Sequence, residues 1–157
     1  MFLRGLKIFK MIYINTERLY GIYENVVQVS GGGAAGVLDE NKLEGILEQV
    51  KNDDYYPEFV DKLTHLFYCT CEFHCFEDGN KRLAITLSAY FLLLNGYMAV
   101  AKDFFVITEN ISYHVAAGKI GKELLHKIML AILDGTYELN EELKLEILNA
   151  ISEGSVF

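Results

Sequence analysis

A single proline, Pro57, stands in a chain of 157 residues. Proline removes a backbone N–H and breaks helix interiors. Its near absence leaves long helices unobstructed and argues against a turn-rich all-β fold. The length suits one domain. With 52% hydrophobic residues the chain can build a real core, and such a composition excludes a disordered protein. Fourteen Lys and Arg face 22 Asp and Glu, a formal net charge of -8. A surface that coats nucleic acid carries the opposite balance, so no nucleic-acid partner is expected. A local anion site stays open.

Cys69, Cys71 and Cys75 fall within one short stretch. An odd, clustered set does not make a disulfide framework and points to a reducing, cytoplasmic setting. The longest apolar run, Leu83 to Leu94, is interrupted by Thr86 and Ser88. It falls short of the roughly 18 residues that span a bilayer, so no membrane partner is expected. The opening MFLRGLKIFK interleaves basic and apolar residues and lacks a signal-peptide core. Met11 is a candidate alternative start, which makes residues 1–10 an optional extension.

Apolar spacing predicts helices almost throughout. Asn15 or Thr16 caps the first, with Leu19, Ile22, Tyr23, Val26 and Val27 on one face. SGGGAAG at 30–36 interrupts it, because so many glycines cannot hold a helix. Asp39 caps a second helix through Val50, and Pro57 suits the first turn of a third. A fourth starts near Asn80 and stops at Asn95-Gly96. It is apolar nearly all round and is predicted to be the central buried helix. Tyr97 to Ala101 reads as a short extended piece, with Asp103 capping the next helix. Further helices are predicted from Lys122 to Leu133 and from Asn140 to Ile151. From Asp134 to Phe157 the chain holds six acids and one Lys, an acidic tail.

The chemistry concentrates in His74-Cys75-Phe76-Glu77-Asp78-Gly79-Asn80-Lys81-Arg82. A short acidic turn leads through Gly79 into the buried helix, whose first N–H groups have no partner inside the helix. Free N–H groups at the positive end of a helix dipole attract anions. Lys81 and Arg82 sit in that first turn, where cations oppose the dipole. Two cations placed there on an acidic protein point to a bound polyanion, with Arg82 offering a planar fork and Lys81 a point charge. Asp78 is a natural Mg2+ ligand beside phosphates. His74, at the end of the preceding helix, is a candidate general base towards an attacking hydroxyl.

HCFEDGNKR also resembles the signature of the Fic/Doc family, His-x-Phe-x-Asp/Glu-Gly/Ala-Asn-Lys/Gly-Arg, with His74, Phe76, Asp78, Gly79, Asn80 and Arg82 in register. GGGAAGVLDENKLEGIL and LFYCTCEFHCFEDGNKRLAITLSAYFLLLNGY resemble the stretches around that signature in Doc-like members. The resemblance covers residues 11–134 and leaves 135–157 as an acidic C-terminal helix and tail. It implies an all-α helical bundle around a central helix, with a small β-hairpin flap near the glycine loop. It implies transfer of part of a nucleotide from Mg-ATP to a hydroxyl of a target protein. In that reading His74 is the general base and Asp78 holds Mg2+. Gly79, Asn80, Lys81 and Arg82 cradle the phosphates. The target, with a translation factor among the candidates, adds as a strand to the flap.

Two positions depart from AMP-transferring members, which carry Gly where Lys81 stands and a second Arg where Ile85 stands. Lys81 without a second Arg resembles the Doc (death-on-curing) branch, in which the nucleotide lies reversed and the γ-phosphate is transferred. The resemblance therefore favours a kinase, with AMP transfer as the alternative and an inactive binding module as the second. Small Doc-like proteins also imply a toxin held by a small antitoxin. Asn149-Ala-Ile-Ser-Glu153-Gly154 comes near an inhibitory family motif, with Asn149 in place of its hydroxyl residue. A Zn2+ site on Cys69, Cys71, His74 and Cys75 competes with small buried thiols. Tyr55 and Tyr56 are candidates to line the nucleotide or target groove.

Overall fold

The computed structural model describes residues 10–29, 40–72 and 79–152. The described chain forms seven α-helices: α1 (Thr16–Val29), α2 (Glu40–Gln49), α3 (Phe59–Glu72), α4 (Gly79–Leu94), α5 (Met98–Ala116), α6 (Lys122–Leu133) and α7 (Glu141–Ser152). A 3-10 turn, Tyr137–Leu139, precedes α7. The fold is all-α, and no strand occurs among the described residues. The flap expected near the glycine loop, at 30–39, lies outside them.

Asn15 starts α1, and its Oδ1 accepts the Arg18 N–H at 2.8 Å, satisfying one of the orphan donors at the helix start. Asn140 does the same for α7, its Oδ1 accepting from Leu143 N at 3.0 Å. Leu143 and Ile147 bury the inner face of α7, which packs against α6. Pro57 lies just before α3 rather than inside its first turn.

α4 is the central helix. Leu83, Leu87, Phe91 and Leu92 are at most 1% exposed, and α1, α3 and α5 all pack against it. Phe91 anchors one end, stacked on Phe59 at 4.8 Å and on Tyr13 at 6.2 Å between ring centroids. Phe67 of α3 meets Phe104 of α5 edge-on at 6.1 Å. Near-perpendicular aromatic pairs of this kind add to the area buried.

Asn95-Gly96 ends α4 as the sequence predicts. Gly96 takes a φ of +88°, a left-handed conformation that costs glycine little. The Tyr97 N–H returns to Leu92 O at 2.9 Å, closing the helix end. The Asn95 side chain accepts from Ile12 N and donates to Ile12 O, both at 2.9 Å, and so ties the segment before α1 to the end of α4.

Two expectations next to this turn fail. Tyr97–Ala101 is not extended, and Asp103 caps nothing: α5 begins at Met98, and Asp103 is an exposed residue in its interior. The tight turn delivers the chain directly against α4. The Ala101 N–H bonds Tyr97 O at 2.9 Å, and Ala101 and Phe104 are buried. Packing starts the helix here without a side-chain cap, and local cap chemistry cannot register that.

Lys62 lies in the middle of α3 at 1% exposure. Its Nζ donates to Val50 O at 2.7 Å and Asp53 Oδ1 at 2.8 Å, and lies 5.6 Å from the Tyr13 ring centroid. This buried cation is partnered and clamps the turn after α2 to α3. A buried charge without such partners would be strongly destabilising.

Candidate active site at the start of the central helix

Gly79 and Asn80 open α4 as buried residues. Lys81 is half-buried and Arg82 exposed. α4 therefore begins inside the fold and turns its two cations outward. They line one end of a 690 Å³ groove between α4 and α5, together with Ile85 and Thr86 of α4. α5 supplies Phe105, Val106, Glu109 and Ser112, and Val29 at the end of α1 borders the groove. Among the described residues neither Lys81 nor Arg82 is within ion-pair distance of a carboxylate. Lys81 Nζ lies 6.0 Å from the Tyr113 ring centroid, within cation–π reach. Two cations at a helix start, on the wall of a groove large enough for a small ligand, form a donor set that fits a polyphosphate.

The α5 wall was not foreseen. Its signal in the sequence is the spacing of Phe105, Glu109 and Ser112, which share one helical face. That signal becomes readable only once α5 is known to double back along α4. His74 and Asp78 lie outside the described residues, as do Cys75 and Glu153-Gly154. Asn149 is an exposed residue of α7.

Cys71 is 1% exposed, and burial pushes its thiol up to about 12. Burial also raises Cys69. Neutral thiols at these positions favour packing over metal binding, and no cluster able to hold a metal ion occurs among the described residues.

Tyr55 and Tyr56 line a different groove, with Lys122 and His126, rather than the one holding Lys81 and Arg82. Tyr56 stacks on His65 at 4.3 Å. His65, 5% exposed, accepts at Nδ1 from Lys122 Nζ at 2.8 Å and pairs through Nε2 with Gln49 Oε1 at 2.7 Å. Lysine can only donate, so the ring is neutral with its proton on Nε2.

Burial, with Lys122 second, lowers the His65 pKa to about 4. Above about pH 6.5 both folded and unfolded chains hold this ring neutral. Below that the unfolded chain takes up a proton that the folded chain refuses. Stability is therefore lost as the pH falls towards 4, by up to about 3 kcal/mol. Urea midpoints measured across this range should fall less steeply for His65→Gln than for the unaltered chain. Equal slopes would show that His65 does not carry the effect.

A model of the Fic/DOC family matches residues 13–92. The chain belongs to the Fic/DOC family. No curated protein and no solved structure matches it. The family covers protein-modifying transferases in general, and these typically use a nucleotide and Mg2+. The Fic/DOC match runs from Tyr13 into the last turns of α4 and stops before α5. The α5 wall of the groove thus lies beyond the matched residues. No helix among the described residues is long and apolar enough to cross a membrane.

Proposed function

We propose that this Fic/DOC protein is a Doc-like protein kinase, moving the γ-phosphate of Mg-ATP to a Ser, Thr or Tyr hydroxyl of a target protein. The observation that carries this reading is Ile85. It lies one turn after Arg82, lines the groove and is 7% exposed. AMP-transferring relatives are expected to place a second Arg there to hold the terminal phosphates. An apolar, buried side chain offers those phosphates nothing. Among the described residues that line the groove, the positive charge available to a polyphosphate is that of Lys81 and Arg82 at the start of α4, which suits a terminal phosphate presented there for attack.

In this mechanism Lys81, Arg82 and the N–H groups at the start of α4 draw negative charge off the transferring group as the bond to ADP lengthens. Asp78 would hold Mg2+, whose charge would offset that of the phosphates. His74 takes the proton from the attacking hydroxyl. The hydroxyl oxygen forms the new bond to the γ-phosphorus. The bond from that phosphorus to the bridging oxygen breaks, and ADP carries away the electron pair. Target binding at a flap formed by the glycine loop, a cytoplasmic setting and control by a small antitoxin belong to the same proposal.

The test uses cell lysate, Mg2+ and ATP labelled at either the α- or the γ-phosphate. Protein labelling from the γ-position alone is expected. Labelling from the α-position would mean AMP transfer, and no labelling from either would leave the inactive binding module.

A further inference from the structure

The family's expected phosphate cradle accounts for one end of the α4–α5 groove. The remainder has a different character, set by the way α4 and α5 run past each other. α4 and α5 are joined by the short turn at Asn95–Tyr97 and run antiparallel. Lys81 reaches the Tyr113 ring across the pair. Each step forward along α4 is then matched by a step back along α5, since both helices rise by the same amount per residue. Glu109 comes level with Ile85, and Phe105 level with Ala89. From Arg82 to the level of Phe105 is about 10 Å at ~1.5 Å per residue.

The groove therefore changes along its length. Cations stand at the start of α4. A carboxylate, Glu109, stands level with Ile85, and Thr86 lines the same groove. Phe105 and Val106 form an apolar end, with Phe105 48% and Val106 79% exposed. Val29 is not part of it, because α1 runs antiparallel to α4, with Ile12 on Asn95 and Arg18 over Tyr90, and so brings Val29 to the Lys81–Arg82 end. A cluster of large apolar side chains left in water is more informative than the buried ones, because it marks a surface meant to be covered. Phosphate cannot extend into this end. It would meet like charge at Glu109 and lose its water against apolar carbon. What fits is an uncharged group with hydroxyls near Glu109 and a flat apolar face over Phe105. The Ser112 hydroxyl is already committed, donating to Glu109 O at 2.7 Å, so at this level the Glu109 carboxylate is the acceptor facing the groove that makes no hydrogen bond among the described residues.

We propose that the α4–α5 groove holds the nucleoside end of the nucleotide, with Phe105 stacking on the base and Glu109 accepting from the ribose hydroxyls. The chemistry is that of other nucleotide sites, where an acidic side chain selects ribose and an aromatic ring carries the base. Because this rests on the nucleotide reading above, the test separates the two. Affinities for ATP, 2′-deoxy-ATP, 3′-deoxy-ATP and inorganic tripolyphosphate are measured by calorimetry on the full chain, with melting temperatures as a folding control. Phe105 and Glu109 are surface residues, so their variants should fold.

Phe105→Ala is expected to weaken ATP by ~10-fold and leave tripolyphosphate unchanged. The unaltered chain should prefer ATP to the deoxy analogues by ~5-fold, and Glu109→Gln should bring them within about 2-fold. Arg82→Ala should weaken ATP and tripolyphosphate alike. If Arg82→Ala weakens both but Phe105→Ala and Glu109→Gln bind every ligand as the unaltered chain does, the nucleoside lies elsewhere and only this inference falls. If the unaltered chain binds neither ATP nor tripolyphosphate, the nucleotide reading falls and takes this inference with it.

Discussion

Replacing His74 by Ala is expected to lower group transfer to the target by about 10²–10⁴-fold, the usual worth of a positioned general base. A Ser, Thr or Tyr hydroxyl is a poor nucleophile at neutral pH, and the proton it sheds needs an acceptor. In the proposed mechanism Lys81, Arg82 and the start of α4 hold the phosphates independently of that acceptor, so ATP affinity should change by less than about 3-fold. The loss should appear in kcat, and the low-pH limb of the rate profile that reports the base should disappear with it. Arg82→Ala makes the contrast. It removes a charge that the proposal assigns to phosphate in the ground state as well, so nucleotide affinity should fall along with rate. A His74→Ala protein that keeps transfer within about 10-fold of the unaltered chain would remove His74 from the mechanism.

Phe67→Ala is expected to cost about 3–5 kcal/mol of stability, the range for truncating a fully buried aromatic side chain. Phe67 is 0% exposed and meets Phe104, also 0% exposed, edge-on. It lies on α3, which packs against α2, α4, α5 and α6. Few neighbours are free to collapse into the space left, so the cavity term adds to the lost burial. For a chain of this size the melting temperature should drop by about 10 °C. Arg82→Ala, at an exposed position, should leave it within about 2 °C. A Phe67→Ala drop of less than about 3 °C would mean that α3 is not packed as described.

These two residues mark how far the sequence could be read. Phe67 sits on a helix-spaced apolar stripe, so its burial was predictable from spacing alone. The same holds for α4, whose apolar circumference marked it as central, and for α6, whose limits match those predicted. Caps were readable where the side chain itself makes the bond, as at Asn15. They misled at Asp103, because α5 is started by the Asn95-Gly96 turn and by packing on α4. Lys62 was invisible for a related reason. A lysine in a helix reads as surface until the backbone of another segment, here Val50 O, comes close enough to accept its proton.

The candidate site divides in the same way. Lys81 and Arg82 were legible because their oddity is local: two cations in the first turn of a buried helix. Phe105 and Glu109 were not, because they reach the groove only through the antiparallel return of α5. Glu109 alone looks like any exposed acid on a helix. It acquires meaning from its place in the groove, level with Ile85. Ile85 was legible as a departure from the AMP-transferring pattern, and its burial in the groove wall gives that departure a physical consequence.

In the proposed reaction the group transferred from ATP is the terminal phosphate. The adduct on the modified target residue tests it most directly. After reaction with ATP and Mg2+, the target peptide is isolated and its added mass and fragmentation are read. A phosphoryl group on a Ser, Thr or Tyr side chain, missing from the His74→Ala reaction, is the predicted result. An adenylyl group on that residue would contradict the account.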